Sequence, residues 1–247
     1  MKLHLIYAAS ILMFAATSLS AADSADLPTA DTVVSAMLQR DAQRRAMLDG
    51  YYGMRRYELQ NEHLQKHAEM VARVESDGEG TKHFEIVEEQ GWGAAHKHVL
   101  HKMLDSEAEA SLPQLRAKTQ VSPNNYEFKL VGTETLAGRP TYVVDITPKR
   151  HEERLFSGRI WIDAEDYALV RVDGKPAKNP SFWIRNIRFT HTYRKSGAFW
   201  FPASTHSVTD ARLFGTTTVT ITYFDYSPKS QLSSVRATAQ PTGSFIH

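Results

Sequence analysis

The chain contains no cysteine. That absence excludes disulfides, thiolate catalysis and cysteine-zinc sites together, and with them the lipid-modified cysteine that would tether an exported bacterial protein just after its leader. An excess of charge of one sign is lacking too. The 29 basic and 28 acidic residues give a formal net charge of +1, and losing Lys2 with a leader brings the two signs level. A chain so balanced has no electrostatic footprint for a polyphosphate, so nucleic acid is excluded as a partner. No apolar run beyond residue 22 approaches the length of about 20 residues that a membrane-crossing helix needs. The serines belong to no GxSxG elbow, the histidines to no HExxH pair. A phosphate-cradling glycine loop is also missing, because Ser76–Gly80 carries acids where such a loop needs a base.

What is present begins with an export signal. Lys2 and His4 precede an apolar run from Leu5 to Ala16, and the small residues Ser20, Ala21 and Ala22 precede Asp23. This is the pattern of a secretory signal peptide over residues 1–22, cleaved near Ala22. Export without cysteine fits a soluble periplasmic protein better than a disulfide-stapled extracellular one. No repeat or long polar linker divides the remainder, so residues 23–230 are expected to form one domain, and the Ser/Thr/Pro/Gln-rich residues 231–247 a loose tail.

Strand grammar dominates that domain. Its clearest passage is GRIWIDAEDYALVRVDG, Gly158 to Gly174, where Ile160 and Ile162 share one face, Trp161 takes the other, and the turn Asp163–Asp166 leads into a second strand. Hairpins of the same kind are predicted for Tyr126–Leu136 with Pro140–Arg150 and for Ile187–Lys195 with Ala198–Val208, followed by a strand at Thr217–Tyr226. Turns this short make consecutive strands antiparallel neighbours in one meandering sheet. Three earlier strands are predicted at Tyr51–Gln60, Ala68–Glu75 and Lys82–Glu89. Ala68, Met70, Ala72 and Val74 form a dry side that Phe84 and Ile86 continue. Two helices interrupt the pattern. One runs from an Asp31 cap to about Asp49, with Val33, Val34, Met37, Leu38, Ala42 and Ala46 as its apolar stripe; the other runs from about Ala94 to Ala110 and ends before Pro113.

Few residues are placed for chemistry. His98 and His101, with Asp105, are the candidate metal ligands, but on a helix His98 and Asp105 lie about 10 Å apart along the axis, too far for one ion. A solvated helix face accounts for them better. His63 and His67 fall where no helix is expected, and the adjacent acids Asp163, Glu165 and Asp166 read as turn residues. No cofactor site and no catalytic residue emerge. The remaining signal is apolar surface: Val144 and Ile146, Ile160 and Ile162, Val170 and Val172, and Val219, Ile221 and Tyr223 each form a row along one strand. Trp161, Trp183 and Phe189 add large rings, as do Phe182, Phe199, Trp200 and Phe201. Two helices are few for a sheet of eight or more strands, which leaves part of its concave face for a cavity or groove.

The succession ITPKR (Ile146–Arg150), GRIWID, YALVRVDG, FWFPASTH and TVTITYFDY resembles the periplasmic outer-membrane lipoprotein-sorting proteins of the LolA/LolB-like superfamily. The resemblance runs over roughly residues 126–226, with the front half joining through its helix-then-strands order. It implies an α+β, mainly β fold: an unclosed antiparallel β-barrel with helices packed against the concave face as a lid over an apolar cavity for acyl chains. The ligand implied is a lipid or the acyl chains of a lipoprotein, passed between membrane-associated donor and acceptor proteins by a monomer. Metal, cofactor and catalysis have no place in that picture. Its cavity lining would come from Val144, Ile146, Ile160, Trp161, Ile162, Val170, Val172, Trp183, Phe189, Val219, Ile221 and Tyr223. In carriers of this kind an early-strand arginine holds the lid shut, and Arg55 and Arg56 are the candidates for that position. The same fold also serves envelope-stress sensors, so the alternative is a sensor or protein-interaction module without lipid cargo, engaging its partner through an exposed patch at Pro176–Trp183.

Overall fold

Ten strands make one antiparallel sheet in a computed structural model that describes residues 27–229. The expected signal peptide and C-terminal tail lie outside the described residues. Helix α1 (Ala30–Ala46) precedes β1 (Gly50–Asn61), β2 (Lys66–Asp77) and β3 (Lys82–Gly91). Helix α2 covers residues 93–111, passing from Gly93–Ala95 through a π-helical stretch, His96–Leu100, into His101–Ser111, and Pro113–Thr119 forms a short α3. Then follow β4 (Tyr126–Leu136), β5 (Arg139–Pro148), β6 (Phe156–Asp163), β7 (Leu169–Pro176), β8 (Ile184–Ser196), β9 (Phe199–Ala211) and β10 (Gly215–Pro228). In space the order is β3-β2-β1-β10-β9-β8-β7-β6-β5-β4. The β1–β10 pairing, from Tyr51 opposite Pro228 to Asn61 opposite Thr217, welds the early hairpins to the late meander. Strands β3 and β4 are not paired with each other, so the barrel is unclosed. Among the described residues no helix is long and apolar enough to cross a membrane.

Strand alternation delivers one inner face to the helices. A single row crosses nine strands in register: Leu130, Val144, Ile160, Val172, His191, Thr205, Ile221, Tyr57 and Met70. Its two ends are covered separately. Val33, Val34 and Met37 of α1 pack with Tyr126, Val144, Ile146, Ile160, Ile162 and Val172, while Ala95, Leu100 and Leu104 of α2 pack with Tyr57, Leu59, Met70, Val219, Ile221 and Tyr223. Burying each such side chain contributes about 1.5–3 kcal/mol, which is what holds the helices on the sheet.

Several local expectations change. The cap of α1 is Thr29, whose hydroxyl accepts from the Thr32 amide at 3.2 Å, and Asp31 sits in the first turn, where the positive helix end favours it. Only the first half of the predicted stripe is buried; Ala42 and Ala46 are exposed, because the inward face continues instead through the half-buried Asp41, Arg44 and Leu48. Arg44 instead reaches across to the β6–β7 turn and donates to the carbonyls of Asp166 and Tyr167. Pro113 ends α2 as expected but also starts α3, since proline at a first helical position costs no hydrogen bond. Ile86 stays on the inner side opposite Ala72, yet it is 41% exposed at the free edge of β3.

Gly158 and Gly174 face each other on β6 and β7, and the rings of Phe156 and Phe189, 5.6 Å apart, fill the space that a side chain on Gly174 would occupy. A Cβ on Gly158 would run into the Asp173 carbonyl oxygen, whereas one on Gly132 would meet nothing within 4 Å. Gly158→Ala is therefore expected to lower stability by about 2 kcal/mol or more and Gly132→Ala by less than about 1 kcal/mol. Urea melts that ranked the two variants the other way would contradict this packing.

Candidate functional site

Because α1 and α2 each cover one end of the inner face, an opening remains between them at the end of the sheet that carries the β2–β3 and β8–β9 turns. It has a volume of about 520 Å³. Asp41, Arg45 and Leu48 border it from the α1 side, Ser76, Asp77, Gly78, Gly80 and Lys82 from the β2–β3 hairpin, and Glu107 and Arg116 from α2 and α3. Its floor and far wall come from His191, Tyr193, Trp200, Phe201, Tyr223 and Tyr51. These rings support one another. Tyr51 meets Phe201 edge-on at 5.5 Å, Phe201 stacks on Tyr226 at 4.4 Å, and His191 lies 4.6 Å from Tyr193 and 5.7 Å from Tyr223. The Thr205 hydroxyl is shared between the His191 ring and the Tyr223 hydroxyl, the latter at 3.0 Å.

Behind Tyr223 lies a buried charge. Arg55 is fully buried, with its guanidinium 4.8 Å from the Tyr223 ring centre and 4.9 Å from that of Phe84. One of its nitrogens pairs with Glu107 of α2 and lies 3.4 Å from the Tyr57 hydroxyl, while Nε and Nη2 have no partner among the described residues. Glu107 takes a second cation, Lys82, at 2.7 Å. A buried guanidinium needs this company, because taking the ion out of water costs several kcal/mol unless a counter-charge offsets it. The pair ties α2 to the sheet at the edge of the opening.

Burial would raise the Glu107 carboxyl, but the Lys82 ammonium and Arg55 guanidinium outweigh it and hold the group at about 2. Desolvation lowers the His191 imidazole to about 4, against the pull of Glu107. The opening thus offers a neutral histidine, three phenols and an aromatic wall beside one compensated ion cluster.

The twelve expected lining residues separate into groups. Val144, Ile146, Ile160, Ile162 and Val172 lie together, 0–5% exposed, beneath α1. Val219, Ile221 and Tyr223 lie beneath α2, and Tyr223 alone of the twelve borders the opening. Phe189 packs over Gly174 against the α1 side. Val170 is the extra residue of a β-bulge, which hands its inward position to Leu169. Trp161 faces away from the helices, donating from Nε1 to Glu134 at 2.7 Å with Arg171 over its ring. Trp183 stands 53% exposed in the β7–β8 loop. Of the two arginines, Arg55 points inward and Arg56 is exposed on the other face. His98 is exposed on α2, and His101 meets Glu89. The neighbour that sequence reading passed over, His96, is buried with Nε2 2.9 Å from the Gln90 carbonyl oxygen. Among the described residues no three His, Asp or Glu side chains are grouped to hold a metal ion. His191, Tyr193, Glu107 and Lys82 were not singled out from sequence. Phe189, His191 and Tyr193 alternate along one strand, and that spacing was the signal available.

Acid dependence follows with its sign. His191 stays neutral in the folded protein while an unfolded histidine takes up a proton below about 6.5, so stability falls as pH drops from about 6.5 to about 4 and then levels off. The Glu107 contribution is present above about 4.3 and is lost as pH falls towards about 2. His191→Gln is expected to flatten only the upper limb. Arg55→Met should cost about 2 kcal/mol at neutral pH, below the figure for a fully buried pair because Glu107 is a third exposed and keeps Lys82. Denaturant melts across this pH range check both, and profiles identical to the parent would refute the assignment.

Residues 119–228 match DUF5686, a family of unknown function, over less than half of the chain. No curated protein matches it. Similar solved structures include a DUF1329 family protein from Desulfovibrio piger, at 11% identity over 85% of this chain and 97% of that one, with a TM-score of 0.44. A putative outer membrane lipoprotein-sorting protein domain from Vibrio parahaemolyticus is similar at 10% identity over 82% and 94%, with a TM-score of 0.40. A LolA superfamily protein from Nitrosomonas europaea is similar at 8% identity over 85% and 97%, with a TM-score of 0.37. At such identities and TM-scores these likenesses do not bear on what this chain binds.

Proposed function

We propose that the chain is a periplasmic binding protein, without catalytic activity, that shelters an acyl chain of a lipid or lipoprotein in the opening between α1 and α2. The observation that carries this reading is the opening itself: about 520 Å³, walled by Tyr51, Tyr193, Trp200, Phe201 and Tyr223, with charged groups at its mouth. Its volume falls in the range of about 300–1,000 Å³ usual for ligand sites. Aromatic walls suit the chain, and Lys82, Arg45 and Arg116 suit a polar or anionic head left near solvent.

Energetics favour exchange over tight storage. Each methylene moved out of water gains about 0.8 kcal/mol, but a ligand arriving from a membrane or another carrier brings its chain from surroundings already apolar, so a small free-energy slope suffices. The five aliphatic residues beneath α1 share the same inner face. They are filled by Val33, Val34 and Met37, and they join the site when α1 lifts to admit a longer chain. The export signal at residues 1–22 supports the periplasm as the place of action.

The second reading, an envelope sensor or protein-interaction module without lipid cargo, is favoured by the solid packing beneath both helices. One experiment separates the two. Protein purified from its host without detergent is expected to release acyl lipid on organic extraction, read by mass spectrometry. Tyr193→Asp or Phe201→Asp is expected to remove at least about nine-tenths of that load, with Ile162→Asp acting the same way if α1 lifts, while Lys129→Glu on the exposed face of β4 leaves it unchanged. Lipid-free protein that also fails to take up a fluorescent long-chain fatty acid would overturn the acyl-chain reading in favour of the sensor.

A further inference from the structure

Large apolar side chains are exposed at scattered points, as on most proteins, but at one end of the sheet they converge. The β7–β8 loop presents Phe182 at 73% and Trp183 at 53% exposure, and the β9–β10 turn presents Leu213 at 61% and Phe214 at 54%. The two loops are joined. The Arg212 amide donates to the Trp183 carbonyl at 2.8 Å, the Arg212 guanidinium lies 4.5 Å over the Phe182 ring, and Phe182 meets Trp183 edge-on at 5.6 Å. The β1–β2 turn, with Leu64 at 36% exposure, adjoins them through Asn61, which donates to the Phe214 carbonyl at 2.9 Å. Beside the β7–β8 loop runs a groove of about 740 Å³ whose cationic lining is Lys149, Arg150, Lys175, Lys178 and Arg185, with no carboxylate among the residues that line it. Arg150 pairs with Glu152 and Lys178 lies 3.6 Å from Glu153; Lys175 and Arg185 make no ion pair among the described residues.

We propose that this end of the molecule docks on the surface of an anionic bilayer, with Phe182, Trp183, Leu213 and Phe214 entering the headgroup layer and the groove cations meeting lipid phosphates. Tryptophan and phenylalanine with interleaved arginine are the side chains that gain most at such an interface. A negative surface draws cations over roughly one Debye length, about 8–10 Å, and the groove lies directly beside the β7–β8 loop. Four large apolar groups carried on the tips of adjacent loops suit a yielding surface better than a rigid protein partner, which would need a matched cleft for each. The inference does not rest on the acyl-chain reading. In a meander successive turns alternate between the two ends of the sheet, so these tips lie at the end opposite the opening between the helices, and docking leaves that opening facing away from the bilayer.

Vesicle flotation tests it with the full chain as its host processes it. The protein is expected to float with vesicles of phosphatidylglycerol and phosphatidylcholine, to stay behind with phosphatidylcholine alone, and to be released as salt rises to about 0.5 M. The double substitution Phe182→Asp and Phe214→Asp should lower the bound fraction about tenfold, and Lys175→Glu with Arg185→Glu should abolish the preference for the anionic lipid. Should the aspartates disturb folding, as circular dichroism would show, Leu213→Ser with Phe214→Ser gives the same readout at positions 61% and 54% exposed. Lipid load in the opening should stay unchanged in all of these. No flotation, equal flotation of the tip variants, or equal binding to both vesicle types would overturn the proposal. So would loss of an envelope protein partner from the tip variants when vesicles bind neither form, which would assign the face to that protein.

Discussion

The covering of one apolar sheet face governs this molecule. Nine of the ten antiparallel strands turn one continuous row of side chains inward, and the described residues include two substantial helices with which to keep that row from water. Helix α1 leads directly into β1 but packs over β4–β7, and α2 follows β3 and packs over β1, β2 and β10, so the row at His191 and Thr205 lies between the two. The cover is therefore complete at both ends of the row and incomplete between them.

Where the cover fails, the row changes character. Its central members are His191 and Thr205, flanked by Tyr223 and Tyr193, where its ends are Leu130, Val144, Ile160 and Met70. Hydroxyls and an imidazole can line an opening at little cost because they bond one another, as His191, Thr205 and Tyr223 do, while their ring carbons still pack. Arg55 is the exception, a full charge with no exposure, and its position demands the Glu107–Lys82 cluster on the side of α2. The two helices are thus held by different means. Helix α2 combines an apolar face with ion pairs to the sheet, while α1 depends on Val33, Val34 and Met37 and on two hydrogen bonds from Arg44. Its exposed second half forms one wall of the opening, and of the two covers it has fewer ties to break.

The two ends of the sheet also divide the surface. One carries the opening, the β2–β3 turn and the foot of α1; the other carries the aromatic tips and the basic groove. Antiparallel order produces that separation directly, since turns at even and odd places in a meander must fall at opposite ends. A ligand held at one end and a surface met at the other can therefore act without competing.

Local chemistry already determined much of this. The alternation in Ala68–Val74 and Gly158–Asp163, the turn residues between the late strands and the 3.6-residue spacing in α1 and α2 decide which segments are strands, where they reverse and which side of each is dry, because those preferences are set by neighbours a few residues away. Other features were decided by the tertiary structure alone. The pairing of β1 with β10 joins residues more than 150 positions apart, the bulge that puts Leu169 rather than Val170 inward depends on how β6 and β7 twist together, and the packing beneath α1 depends on which strands its tether lets it reach. The opening is the remainder after all those contacts are made. Space left uncovered by two packed helices has no residues of its own to announce it: the aliphatic row beneath α1 is packed by Val33, Val34 and Met37, and a histidine and three tyrosines border the gap, with a buried arginine behind one of them.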